Sequence, residues 1–300
     1  MASVDLKAHF LVLLATVLVA GSFIATQKLA GLIDPFSIIL LRFFAAALFL
    51  APFVLLNSKH RKNIITTMPR AMIISLFYAG YFVLMFVALE DTTALNTGAL
   101  YTLVPLVTAV LCIFFYKEKI TINQSIVYLI GIVGTCGVVF KGNLELFLSF
   151  TLNGGDYIYI ISLFFMAFYS ISMKSLYKGD DLILLVFCTL LGGAIWMASI
   201  LLFMDTPLHW DKIQNEMVWY MAYLVIVTTL ITLYLYQKAT IMLGPKSVMS
   251  YIYLNPAAVA LIAFFMYEEK ISLEVILSII ITMIATVILQ IKINKAKVEK

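Results

Sequence analysis

Charge is what this chain has least of. Lys, Arg, Asp and Glu make up 12% of its 300 residues, against 63% apolar, whereas soluble domains carry about 25% charged and about 45–50% apolar residues. There is too little polar surface to wrap a core in water, so the apolar surface must meet lipid. The charges lie in short clusters between apolar runs, so the net charge of +4 makes no basic face for nucleic acid. Cysteine is also scarce. Cys112, Cys136 and Cys188 sit inside apolar runs with no C-x-x-C spacing, which excludes a disulfide framework and the usual zinc ligand sets. No G-x-x-x-x-G-K-[ST] loop is present, so ATP does not drive the protein directly. No H-E-x-x-H and no Ser/His/Asp set in one membrane plane suggests a reaction, so an enzyme, a cofactor and a metal are not expected. Asp and Glu are missing from the middle of the apolar runs. His9, His60 and His209 fall near run ends or in connections. No midplane carboxylate or His relay is therefore available to carry a proton.

What the chain does have is apolar runs of membrane length. Crossing about 30 Å of hydrocarbon takes about 20 helical residues. Ten segments qualify: His9 to Leu29, Phe36 to Leu56, Ala71 to Leu89, Thr93 to Tyr116, Asn123 to Phe140, Tyr157 to Tyr177, Leu182 to Phe203, Val218 to Lys238, Pro245 to Tyr267 and Leu273 to Ile291. They are continuous rather than alternating, which indicates helices and not a barrel. Lys7 followed by an apolar run mimics a signal peptide, but the run reaches about Ala25 and more follow, so a first membrane helix is the reading.

The chain also repeats itself. Shifted by 151 positions, the distance from Pro105 to Pro256, the stretch from Ala88 to Ile120 falls without a gap on that from Ala239 to Ile271. Leu103-x-Pro105 meets Leu254-x-Pro256, and Glu118-Lys119-Ile120 meets Glu269-Lys270-Ile271. Such a match points to tandem duplication. The expected units are residues 8–141 and 156–292, joined at Asn153-Gly154-Gly155-Asp156, with a basic tail at 293–300. With the N-terminus inside, only Lys28, Lys141, Lys212 and Lys270 lie outside. Lys59, Arg61, Lys62, Arg70, Lys117, Lys119, Lys174, Lys178, Lys238, Lys246 and the other lysines lie inside, which places both termini in the cytoplasm. Five helices per half is an odd number, so the halves insert in opposite senses. The expected fold is an all-α membrane protein of ten transmembrane helices in two inverted five-helix repeats, with a substrate site near the midplane between them.

Leu243-Gly244-Pro245 leading to Pro256, then Glu268-Glu269 and a closing apolar helix, resembles the second repeat of EamA-type transporters of the drug/metabolite transporter superfamily. Arg42-Phe43 and the stretch from Pro105 to Glu118 resemble the first. The resemblance covers about residues 8 to 291. It implies ten helices, a bacterial inner membrane and transport of small metabolites such as amino acids, their derivatives or S-adenosylmethionine. The family's closing helix usually carries Gly. Here Ile279, Ile280 and Thr282 stand in that region, while Gly131, Gly134 and Gly137 keep the pattern in the fifth helix.

Arg42 is the clearest charge inside an apolar run. An intramembrane charge is a functional hypothesis by default; the alternative, taken here, is a structural residue that snorkels or bonds carbonyls of a kinked neighbour. Pro105 and Pro256 free the carbonyls of Tyr101 and Ile252, which either face a cavity or only shape packing. Glu118 and Glu269 sit at helix ends and read as caps and anchors. Polar and aromatic residues inside the runs, Tyr78, Tyr81, Asn96, Tyr101, Tyr169, Tyr234, Tyr251 and Asn255, are the candidate substrate-binding set, because such groups need partners in lipid. With no fixed charge counted among them, they favour a zwitterion over a dianion. The leading function is a secondary carrier using alternating access through a water-filled cavity, with no obligatory proton. The alternatives are a membrane-embedded structural subunit or a lipid-modifying enzyme. The expected partners are a small-molecule substrate and the bilayer, with the chain a monomer or weak dimer.

Overall fold

Polar capping residues divide this apolar chain into helices. Asp34 accepts hydrogen bonds from the N–H groups of Phe36 and Ser37, with Pro35 opening the helix. Asn57 does the same for Lys59 and His60. Thr121 with Gln124, and Asn153 with Asp156, form reciprocal capping boxes. Each satisfies N–H groups that a helix start leaves unpaired.

The computed structural model describes residues 2–29, 31–267 and 271–298. Among these residues there are helices and no strand. Helix α1 is Ala2–Leu29, α2 Pro35–Leu55 and α3 Ser58–Ala88. Helix α4 has two segments, Ala94–Tyr101 and Val104–Tyr116, and α5 is Ile122–Val139. In the second half α6 is Gly154–Leu176, α7 Leu182–Phe203, α8 Glu216–Leu243, α9 Pro245–Met266 and α10 Leu273–Val298. Among the described residues nine of these, α2 to α10, are long and apolar enough to cross a membrane, and α1 carries the apolar stretch Leu6–Ser22. Ten antiparallel helices bring both termini to one end of the bundle, called here the terminal end; the other is the far end.

Some limits differ from those read in the sequence. Helix α3 begins at Ser58, well before Ala71, because Asn57 caps it and its polar first turns stay helical outside the apolar stretch. Helix α8 continues past Lys238 to Leu243, and α10 runs through the expected tail to Val298. A five-residue helix, Leu144–Leu148, capped by Asn143, lies in the connection between halves.

Helices α4 and α9 break at equivalent places. Thr102 and Leu103 make tight-turn bonds to Ala99 and Leu100, and α4 restarts with Pro105 in its new first turn. In α9 a 3₁₀ stretch, Ser250–Leu254, precedes the restart at Asn255-Pro256. Proline lacks the N–H that would continue the helical ladder, and the chain tightens one turn earlier.

Helix pairing shows how the halves relate. Helix α3 packs on α6, as α8 packs on α1; α3 packs on α7, as α8 does on α2; α4 packs on α6, as α9 does on α1. Helices α2 and α7, and α5 and α10, pair with their own equivalents. These pairings are unchanged when the halves are exchanged, which a two-fold axis requires. With five helices per half, that axis lies in the membrane plane.

The α5–α10 pair is close because glycine makes it so. A Cβ on Gly134 would sit 2.7 Å from Ile281 Cγ2 and 3.1 Å from the Thr282 backbone nitrogen, and one on Gly137 would sit 2.9 Å from Ser278 Cβ. Small residues let membrane helices approach, and glycine on one partner suffices here. Large apolar side chains such as Phe44, Leu48, Phe49, Phe53, Phe114 and Val287 are exposed around the perimeter, as a lipid-facing surface demands.

Candidate functional site

The site is built around Arg42. Helix α2 starts at the far end, and Arg42 lies about 10 Å along it at 1.5 Å per residue. Its side chain turns inward and is 3% exposed, so it does not snorkel. Nε donates to Thr229 Oγ1 of α8 at 3.1 Å. The guanidinium carbon stands 5.0 Å from the centre of the Phe82 ring of α3, within cation–π range. Its partner is thus a hydroxyl from the opposite half rather than a freed carbonyl. Among the described residues no carboxylate lies within ion-pair distance of Arg42, and its two terminal nitrogens make no hydrogen bond.

Aromatic rings enclose it. Tyr78 stacks on Phe43 at 5.5 Å, meets Phe82 edge-on at 5.1 Å and tilts against Tyr169 of α6 at 4.7 Å. Tyr81 packs on Phe82 at 5.1 Å and faces Tyr101 at 6.1 Å, with Tyr159 of α6 beside it. Tyr101 is the last residue before the α4 break. The structure therefore brings Tyr78, Tyr81, Tyr101 and Tyr169 into one cluster with Arg42, between helices of both halves. The sequence argument that no fixed charge accompanies the tyrosines is corrected: the α2–α3 packing puts one there.

The other candidates lie elsewhere. Asn96 is at the far end, where its Nδ2 donates to Asp156 at 2.8 Å, joined by Thr92 and the Asn153 N–H. Tyr234 is half-buried under Lys238, whose Nζ donates to its hydroxyl at 3.4 Å and stands 5.4 Å from its ring centre. Tyr251 joins α9 to α1 through His9 Nδ1 at 2.8 Å. Asn255 is 1% exposed, and neither polar atom of its side chain has a partner. Pro105 and Pro256 stand at the two breaks. Glu118 lies at the terminal end, 3.7 Å from Lys246 Nζ of the opposite half, and that Lys also donates to Gln124 at 3.4 Å. Glu269 falls outside the described residues.

Three further elements escaped the sequence. Helix α8 is π-wound over Leu224–Ile231, which includes Thr229; such windings recur at functional sites. Gln237 lies against the Tyr169 hydroxyl and donates to Thr189 at 3.2 Å. At the terminal end, Arg70 of α3 donates from both terminal nitrogens to Asp180, at 2.6 and 2.7 Å, and to the Leu176 carbonyl at 3.1 Å. Thr67 adds a bond to Asp180 at 3.3 Å. Burial pushes the Asp180 carboxyl up, but the bonds from Arg70 and the Lys178 N–H outweigh it and hold the group below its ordinary value. A cavity of about 350 Å³ lies beside this clasp, lined by Lys59, His60, Lys178, Asp180 and Asp181 among others.

Ten lipid-facing helices in two exchangeable halves, with a buried polar and aromatic cluster between them, define an integral membrane protein of two-repeat architecture. The chain belongs to the EamA-like transporter family, whose model matches residues 6–140 and 153–291. It is 23% identical over 208 residues to the uncharacterized transporter YyaM of Bacillus subtilis (strain 168), a match spanning 69% of this chain and 67% of that protein. A solved crystal structure shares the fold, with a TM-score of 0.76 at 15% identity, covering 98% of this chain and 99% of that one. The protein is a membrane transporter by family and fold.

Proposed function

We propose that the protein is a secondary carrier that moves a small metabolite by alternating access, the Arg42–tyrosine cluster being where the substrate sits. The observation that supports this most is the cluster's place: its groups come from α2, α3 and α4 of one half and from α6 and α8 of the other, across the two-fold axis. Rocking of the halves then opens it to one end and closes it to the other. The membrane is the bacterial inner membrane, with the terminal end in the cytoplasm, as the Lys and Arg distribution favours. The cluster holds no carboxylate among its described residues, so movement proceeds by exchange or facilitated flow without an obligatory proton.

Purified protein in liposomes tests this by uptake and counterflow with a panel of amino acids, S-adenosylmethionine and nucleotides. Counterflow of at least one compound is expected, undiminished when the pH gradient is collapsed, with Tyr81→Phe altering apparent affinity. Phe is the informative change because Tyr81 is 6% exposed and packed on other rings, so Ala would also remove packing. No counterflow for any solute, or a strict need for a pH gradient, contradicts the reading.

A further inference from the structure

Arg42 is charged at any accessible pH. A buried charge is costly unless paired and hydrogen-bonded. Among the described residues it has one hydroxyl, Thr229 Oγ1, and one ring face, Phe82. A purely structural arginine in a membrane core is expected to spend its terminal nitrogens on backbone carbonyls or acidic side chains; here they make no such bond among the described residues. An apolar residue would fill the same space at lower cost. Shifted by 146 positions, the distance from Gln27-Lys28 to Met173-Lys174 in the early helices, the corresponding position of the duplicated half is Cys188, which is buried and carries no charge. The charge is therefore dispensable to the fold of one half and present in the other.

We propose that Arg42 is the anchor for a substrate carboxylate, so that the transported class is organic monocarboxylates with a planar or aromatic body. The inference rests on the cluster being the transport site. A planar guanidinium fork matches the two oxygens of a carboxylate. The single charge favours a monoanion, since a phosphate dianion would leave a net charge in a low-dielectric site. Phe82, Tyr78 and Tyr169 supply ring faces on which a planar body packs.

The test is counterflow in liposomes with matched probes: phenylacetate, phenylpyruvate and L-phenylalanine as carboxylates, phenylacetamide as the neutral twin, phenethylamine as a cation, phenyl phosphate as a dianion and uridine as a neutral solute. At least one carboxylate is expected to be carried, with phenylacetamide, phenethylamine and phenyl phosphate at least about tenfold weaker, as loss of a charge-assisted bond implies. Arg42→Gln should remove the preference for carboxylate over amide, and Arg42→Lys should retain part of it. The wild-type comparison of acid with amide decides the matter even if Arg42→Gln fails to fold. Equal carriage of the amide, or a carboxylate preference that survives in folded Arg42→Gln, overturns the assignment. Carriage of uridine, phenethylamine or phenyl phosphate but no carboxylate overturns it while leaving the carrier reading intact. Carriage of none of the probes overturns it as well, and the wider panel above then decides the carrier reading separately.

Discussion

Helices α3 and α8 occupy the same place in the two halves, yet they carry different chemistry. Shifted by 151 positions, the distance from Pro105 to Pro256, Tyr78 meets Thr229, Tyr81 meets Thr232 and Arg70 meets Met221. Helix α3 is α-helical from Ser58 to Ala88 and presents rings and a clasping arginine. Helix α8 is π-wound in its middle and presents small hydroxyls. Both face the same cluster, and Arg42 touches both, through Phe82 on one side and Thr229 on the other. Duplication has kept the packing scheme while the lining has diverged. A space between identical halves would have two equivalent walls; here the two walls differ.

The largest expected effect is on the ring side. Tyr78→Ala removes a side chain packed on Phe43, Phe82 and Tyr169, and should cost about 3–5 kcal/mol of folding stability. The matching change Thr229→Ala removes one bond and little volume, and should cost about 0.6–1.7 kcal/mol. Unfolding in detergent–denaturant mixtures measures both; equal costs would break the contrast between α3 and α8.

Next comes the clasp that α3 has and α8 lacks. Arg70→Gln should cost about 2 kcal/mol through loss of charge-assisted bonds to Asp180, while Met221→Leu should be near neutral. The pH dependence has a definite sign. Asp180 is held below its ordinary value in the folded protein, so its contribution is full above the unfolded value near 3.9 and is lost as pH falls through the folded value. Stability curves at pH 7 and pH 3 should differ less in Asp180→Asn than in the wild type; an unchanged difference would show that the clasp is not what titrates.

A smaller effect tests the coupling across the axis. The cycle of Arg42→Lys, Thr229→Val and the double variant should give an interaction of about 0.5–1.5 kcal/mol, as bonds within membranes are modest. Strict additivity would mean that the 3.1 Å contact carries no energy.

The class, the repeats and the breaks at Pro105 and Pro256 were legible because long apolar runs and matched prolines leave marks in sequence. The direction of Arg42 was not, since its partner Thr229 lies 187 positions away and only the fold joins them. Tyr234 stood out as a polar ring inside an apolar run, whereas Tyr236, which lies near Tyr78 and Tyr169, did not. Periodicity would have favoured Tyr236, which follows Thr229 and Thr232 at three- and four-residue steps on one helix face. Asn96 looked like a cavity residue because the chain order does not show that Asp156, across the joint between halves, caps and binds at the same end. The π winding of α8 leaves no proline or glycine to announce it.

The central claim is that a cluster now buried between two diverged halves opens to each side in turn. Its most direct test is thiol labelling of Thr229→Cys in a background where Cys112, Cys136 and Cys188 are replaced, using a membrane-impermeant methanethiosulfonate applied from one side of the membrane and then from the other. Labelling from both sides, at rates that a carried solute shifts in opposite directions, is the result predicted. A residue 229 that stays unlabelled from both sides, with or without solute, would contradict the account and leave the cluster as a fixed core.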